Sequence, residues 1–117
     1  MVRKQLKYRK ILQEVLKEYA GNELLHDKNP DDIQIRLIMD TQNDHYQVLY
    51  AGWQQDKQVF AVLFHFDIID DKIWIQRNNS DYDILEDIEN KGVPKSDIVL
   101  AFHSPKVRTY ASEYALA

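Results

Sequence analysis

Cysteine is absent from this chain of 117 residues, and glycine and proline occur only three times each. Without thiols the chain has no disulfide, no thiolate metal site and no cysteine nucleophile, and it suits a reducing compartment. The glycines are far apart, so they form no glycine-rich loop for a phosphate, and the four serines lie outside any nucleophile-elbow context. We therefore predict no catalytic residue, no cofactor, no metal ligand and no enzyme activity.

Long apolar runs are also missing. The basic first residues lead into an amphipathic segment that contains charges, so we expect no signal peptide or transmembrane span and a cytoplasmic location. Apolar residues make up 44% of the chain and charged residues 29%, which is typical of a folded protein. At this length we expect one domain with one core over residues 1–117.

The net charge of −4 is unevenly distributed. Residues 1–20 hold six Lys or Arg and two Glu, which leaves nine basic and 17 acidic residues for the rest of the chain. An acidic body disfavours unaided DNA binding. The basic cluster at the start is an exception that suits contact with DNA or an acidic partner, or else a frayed, solvated terminus. Its members are Arg3, Lys4, Lys7, Arg9 and Lys10.

Apolar spacing predicts an α+β fold that begins with an amphipathic helix over residues 3–20, closed by Gly21-Asn22 and followed by a loop. Four runs rich in β-branched and aromatic residues follow and predict an antiparallel meander. They are residues 33–39, 46–53, 58–68 and 72–76. The third run is apolar on both faces, with Phe60 and Val62 on the same side as Phe64 and Phe66, so it should be central.

Three further elements complete the predicted fold. Ser80 or Asp81 caps a second helix that closes at Gly92. Residues 98–102 resemble a buried strand that joins the sheet by a crossover and makes it mixed. Ser104-Pro105 opens a short last helix through Tyr110.

Two histidines and one aspartate are the only candidates for site chemistry. His65 and Asp67 lie two apart on one strand and share a face, and His45 lies in the preceding hairpin. One interpretation is a metal or proton-transfer site, and hence a small metal-binding or nuclease-associated enzyme. The other is a histidine at the core edge that is hydrogen-bonded to a neighbouring carboxylate, which is the commoner arrangement.

Other residues suit partner binding. We expect an acidic helix face to dock on a basic protein, and one of two tryptophans to lie at an interface, with Trp74 on a short edge strand. The segment after the last strand also offers side chains for recognition. The candidates are Trp53, Trp74, Asp83, Glu86, Asp87, His103, Arg108 and Tyr110.

A series of short segments, in order along nearly the whole chain, carries a resemblance to a known family. They are YRKI (8–11), EYA (18–20), DTQNDHY (40–46), GW (52–53), HFDI (65–68), DKIWIQ (71–76), GVPK (92–95), DIVLAFH (97–103) and PKVR (105–108). The series resembles the XisI family, excision controlling factors of the fdxN element in nitrogen-fixing cyanobacteria.

The resemblance implies an accessory role rather than catalysis. It implies a protein that acts with an XisH-like partner so that a site-specific recombinase can remove a DNA element during heterocyst differentiation. It supplies no catalytic residue for this chain. Together with the acidic composition, it leads us to expect control through protein contact, with DNA contacted only indirectly or weakly through the first helix. A homodimer through a sheet edge or the Trp74 region is a further expectation.

Overall fold

A long first helix packs against one face of a five-stranded sheet. The computed structural model describes residues 3–26, 32–111 and 113–117. Its elements are α1 (Arg3–His26), β1 (Asp32–Asp40), β2 (His45–Gln54), β3 (Lys57–Ile69), β4 (Lys72–Asn78), α2 (Ile84–Asn90), a 3₁₀ turn (Lys95–Asp97), β5 (Ile98–Val99) and α3 (Pro105–Arg108). The predicted α+β architecture is confirmed.

The buried side of α1 follows the helical spacing seen in the sequence. Its buried residues are Tyr8, Ile11, Leu12, Val15, Leu16, Tyr19 and Ala20. The Tyr19 ring meets the Phe64 ring edge-on, with 5.1 Å between centroids. The predicted end at Gly21-Asn22 is wrong, because the helix continues to His26. Glycine costs an interior helix only about 1 kcal/mol, and the Glu-Leu-Leu that follows favours helix. Of the predicted loop, residues 27–31 lie outside the described residues.

The sheet has the order β1-β2-β3-β4-β5, which confirms the meander, the central β3 and the mixed sheet. The first four strands pair antiparallel, and β5 pairs parallel with β4. Two predictions fail here. Trp74 is not on an edge strand, because it pairs with Val99 of β5. The fifth strand is also shorter than residues 98–102, since the Ala101 amide turns back to the Val99 carbonyl at 2.9 Å.

A β-bulge decides which side chains of β3 face the helix. Val48 pairs with Phe64 but Leu49 pairs with Val62, so Leu63 is an extra residue. One extra residue reverses the alternation of side chains along a strand. Phe64 is fully buried on the α1 side, whereas Phe60 is 66% exposed. The prediction that Phe60 and Val62 share the face of Phe64 and Phe66 is therefore wrong.

The remaining helices are short. Asp83, not Ser80 or Asp81, caps α2 by accepting a hydrogen bond from the Glu86 amide at 3.2 Å, while Ser80 accepts one from the Tyr82 amide. The prediction of Ser104 as the cap of α3 is confirmed, although α3 ends at Arg108 rather than Tyr110. Among the described residues, no helix is both long enough and apolar enough to cross a membrane.

Candidate functional site

The sheet face opposite α1, here called the outer face, exposes large apolar side chains. Ile38, Trp53 and Phe60 are each at least 50% exposed. Leu49 and Val62 are a cross-strand pair on β2 and β3. They lie between Ile38, which pairs with Gln47, and Phe60, which pairs with Ala51. Leu49 is buried yet lies outside the core cluster that α1 covers. We call Ile38, Leu49, Trp53, Phe60 and Val62 the outer apolar patch.

Strand pairing makes the patch continuous. Ala51 pairs with Phe60 and Trp53 pairs with Gln58, so Trp53 and Phe60 are diagonal neighbours on adjacent strands. Such neighbours lie about 7–8 Å apart, within reach of aromatic rings. Gln34, Arg36, Ala51, Gly52 and Trp53 also line a shallow depression on this face. The arrangement gives a partner an aromatic ridge beside a polar groove.

The two tryptophans differ in their surroundings. Trp53 is half exposed at the end of β2. Trp74 is partly buried, and the Arg108 guanidinium lies over its ring, 5.6 Å from the centroid. Of the pair, Trp53 is the one that a partner can reach directly.

The three candidates after β5 differ in their surroundings: Arg108 and His103 are half-buried, and Tyr110 is exposed. Arg108 donates from Nε to the Leu100 and His103 carbonyls at 3.2 and 3.0 Å, and from Nη1 to the Leu116 carbonyl at 3.3 Å. The Arg108 guanidinium therefore links α3 both to the segment after β5 and to the C-terminal residues. The His103 ring packs on Phe102 with 4.4 Å between centroids, and the Tyr110 side chain is 79% exposed.

The acidic residues of α2 are partly engaged within the domain. Asp83 caps the helix, and the Tyr82 hydroxyl donates a hydrogen bond to Asp87. That hydrogen bond is the main reason that the pKa of Tyr82 is raised to about 12, and burial of the hydroxyl is the second. Glu86 is exposed. The helix keeps an acidic surface, but two of its three candidate carboxylates also hold local structure.

Most of the basic cluster on α1 is used to attach the helix. Lys4 forms an ion pair with Asp97 at 3.1 Å, and Lys7 donates to the Gly92 carbonyl at 3.3 Å. Arg9 binds Asp44. Lys10 is exposed, and the Arg3 side chain lies outside the described part of the chain. These contacts explain why the helix tolerates positive charge at its start, where the helix dipole disfavours it.

Two buried aspartates receive those contacts. Asp97 is 8% exposed and accepts hydrogen bonds from Tyr8 and Lys4. Burial alone would raise the pKa of its carboxyl, but these contacts lower the pKa below its ordinary value. Burial would also raise the pKa of the Asp44 carboxyl, but hydrogen bonds from Arg9, Gln5 and Tyr46 lower it below its ordinary value.

His45, His65 and Asp67 meet on the outer face, beyond the Ile38 end of the patch. The Asp67 Oδ1 atom lies 2.6 Å from His45 Nδ1 and 2.8 Å from His65 Nε2. The other nitrogen of His65, Nδ1, lies 2.8 Å from Gln47 Oε1. The hydrogen bond with Asp67, opposed by burial, raises the pKa of His45 above its ordinary value. The structure thus brings together the three residues that the sequence singled out.

Comparison with known proteins identifies the family. The model of the XisI family, described as XisI protein, matches residues 2–116.

The chain belongs to the XisI family.

Two solved structures share the fold of this XisI-family chain. A XisI-like protein from Anabaena variabilis is 37% identical, with a TM-score of 0.84, and the match covers 96% of this chain and 98% of that one. The fdxN element excision controlling factor XisI from Anabaena variabilis is 35% identical, with a TM-score of 0.80, and the match covers 97% and 99%. No curated protein shows significant similarity to this XisI-family chain.

Sequence reasoning missed several residues that define the sites of this XisI-family member. Ile38 and Phe60 were placed in strands without being named as candidates, and for Phe60 the cause is the bulge at Leu63, which has no local sequence signal. Gln47 beside His65 was also missed, although its position opposite His65 follows from the hairpin register. Asp44 sits in a turn, and it accepts a hydrogen bond from Arg9, which lies in a distant part of the chain.

Proposed function

We propose that this chain is an excision controlling factor that acts by binding an XisH-like protein, rather than by catalysis. In this role it would help a site-specific recombinase remove a DNA element during heterocyst differentiation. Two findings support the proposal. The chain belongs to the XisI family, and one similar protein bears the name excision controlling factor.

The outer apolar patch is the observation that carries the proposal. Soluble proteins rarely leave large apolar side chains grouped on one sheet face unless something binds there. Trp53 and Phe60 are aromatic, and aromatic side chains commonly dominate the binding energy of protein interfaces. The patch therefore suits an apolar, protein-binding function better than recognition of a polar small molecule.

Charge favours a protein partner over DNA. The body of the chain is acidic, and the structure engages Lys4 and Arg9 in ion pairs with buried aspartates. DNA affinity grows with the number of cations available to neutralise phosphates, and the ion pairs of Lys4 and Arg9 reduce the charge that this helix offers. Exposed Glu86 and its acidic neighbours lie on the helix side of the sheet, where Tyr82 packs against Tyr19 of α1, so they are not part of the contact proposed for the outer apolar patch.

A homodimer is compatible with the proposed contact. Within the described residues, β1 pairs on one side only, with β2, and its other side is an open sheet edge. The Trp74 region is less suited, because β5 covers the side of β4 away from β3.

The direct test is co-expression of this chain with an XisH-like protein, followed by purification through a tag on the partner. We expect the two to purify together and to remain associated at micromolar concentration during gel filtration. Failure of two folded chains to associate at that concentration would contradict the proposal. As a control, we would replace exposed Lys10 with Glu, and we expect association to persist because the predicted contact lies on the opposite face.

A further inference from the structure

We propose that His45, His65 and Asp67 bind a divalent first-row transition-metal ion, with zinc the best fit, at one end of the outer face. The inference goes beyond the proposed function and does not rest on it. It concerns a site of two imidazoles and one carboxylate that the sheet holds in place.

Strand pairing positions all three side chains on the same face. His45 is the direct cross-strand partner of Asp67, and His65 lies two residues before Asp67 on β3. Residues two apart on a strand point the same way, and paired residues share a face. Three ligand atoms, one from each residue, lie within 4.8 Å of one another. Because these residues come from regular strands, the backbone fixes their separation before any ion arrives.

The donor set matches the chemistry of such ions. Two imidazole nitrogens with one carboxylate oxygen form a common three-ligand set for catalytic zinc and for other first-row metals. Zinc then takes water or another ligand in its fourth position. The His45 side chain is 54% exposed and that of His65 28%, so the fourth position opens to solvent.

Gln47 supplies the supporting contact that metal-bound histidines usually have. Its Oε1 lies 2.8 Å from His65 Nδ1 and accepts a hydrogen bond from it. A neutral imidazole that donates from Nδ1 presents a lone pair at Nε2, which here points at Asp67 Oδ1 from 2.8 Å. Two lone pairs facing each other repel unless a proton or a cation lies between them. A proton or a metal ion meets that requirement, and Gln47 holds the ring in the orientation that metal binding needs.

The fit requires the side chains to move, because the three ligand atoms lie within 4.8 Å of one another and not at tetrahedral spacing. Tetrahedral zinc at about 2.0–2.1 Å from each nitrogen separates neighbouring ligand atoms by about 3.3 Å. The two nitrogens now lie 2.6 and 2.8 Å from Asp67 Oδ1, at hydrogen-bonding distance. Rotation of the exposed His45 ring and of the Asp67 carboxylate can provide the remaining half ångström or so.

The experiment is a titration of the tag-free chain, stripped with chelator, with zinc chloride at about pH 7.5, where imidazoles bind metal. Calorimetry should show one ion per chain with a Kd below about 100 µM. His45→Asn and His65→Asn should each weaken binding at least 100-fold, and Gln47→Leu about 10-fold. The matched control is His103→Asn, which changes a histidine elsewhere on the surface and should leave the affinity unchanged.

A second readout identifies the ligands. Cobalt(II) in place of zinc should give the visible absorption of a tetrahedral or five-coordinate site. With zinc, the nitrogen chemical shifts of the imidazole rings should change at His45 and His65 but not at His103. Thermal denaturation without metal shows whether each variant is folded. Binding weaker than about 100 µM, or binding that survives the His45→Asn/His65→Asn double variant, would overturn the proposal and leave the cluster as a hydrogen-bond network.

Discussion

Arg9 on α1 and Asp44, in the turn between β1 and β2, form a two-point ion pair. Arg9 Nε lies 2.9 Å from Oδ1, and Nη2 lies 3.2 Å from Oδ2. Gln5 and Tyr46 also donate to this carboxylate, at 2.7 and 2.8 Å. Asp44 is 2% exposed, so its charge depends on these donors. The contact fixes the start of the helix against the sheet.

Asp44→Ala should lower the free energy of unfolding by about 2–4 kcal/mol, because the change leaves the Tyr46 hydroxyl and Arg9 without their acceptor. Urea denaturation measures the loss. Asp70→Ala is the matched control, since Asp70 is exposed but shares the positive φ of Asp44, 52° against 60°. The control should lose about 1 kcal/mol or less. Equal losses would show that backbone conformation, and not the hydrogen bonds, explains the effect.

The β-bulge makes a second prediction about two phenylalanines on the same strand. Phe64→Ala should cost about 3–5 kcal/mol because the ring is fully buried, whereas Phe60→Ala should change stability by about 1 kcal/mol or less. Denaturation of both variants under one set of conditions provides the comparison. Similar losses would place both rings in the core and contradict the bulge at Leu63.

This pair also shows where prediction from the sequence ended. The strands and their antiparallel order followed from apolar runs separated by short polar turns, and the structure confirms them. The bulge did not follow, because no glycine or other local signal marks Leu63. The prediction therefore continued the regular alternation of side chains past Leu63, which placed Phe60 and Val62 on the wrong face and left the outer apolar patch unrecognised.

The candidate site shows the same division. His45, His65 and Asp67 could be grouped from their spacing, since the period of a strand and the register of a hairpin are local properties. The internal roles of Lys4, Arg9 and Arg108 could not, because their partners lie far away in the sequence or on the backbone. Composition identified the basic cluster but not what it contacts.

Asp97 leads to a prediction about pH. Its pKa in the folded chain is below the ordinary value, so the unfolded chain binds more protons near pH 4 and stability rises with pH there. The wild type should be more stable than Asp97→Asn at neutral pH, and the difference should shrink as pH falls through the folded pKa. Unfolding free energies measured from acid to neutral pH test this. A difference that stays constant across this pH range would contradict it.

Arg108 was a candidate for partner recognition, but its contacts predict a structural effect. Arg108→Ala should lower the free energy of unfolding by about 1–3 kcal/mol, since three backbone carbonyls lose a donor and Trp74 loses its cover. Arg108→Lys should recover only part of this, because lysine lacks the planar fork. Exposed Lys106→Ala is the control and should have little effect. If the Arg108→Ala variant is as stable as the control, the structural role is wrong and Arg108 is again a candidate for partner binding.

The most direct measurement for the proposed function is the affinity of the XisH-like partner for a variant with the outer apolar patch made polar. We expect Trp53→Ser/Phe60→Ser to remain folded and to lose at least about 100-fold in affinity by calorimetry, because two exposed aromatic rings are removed from the contact. Leu6→Ser alters an exposed apolar side chain on the helix side and should bind like the wild type. Unchanged affinity of the folded double variant would contradict the account.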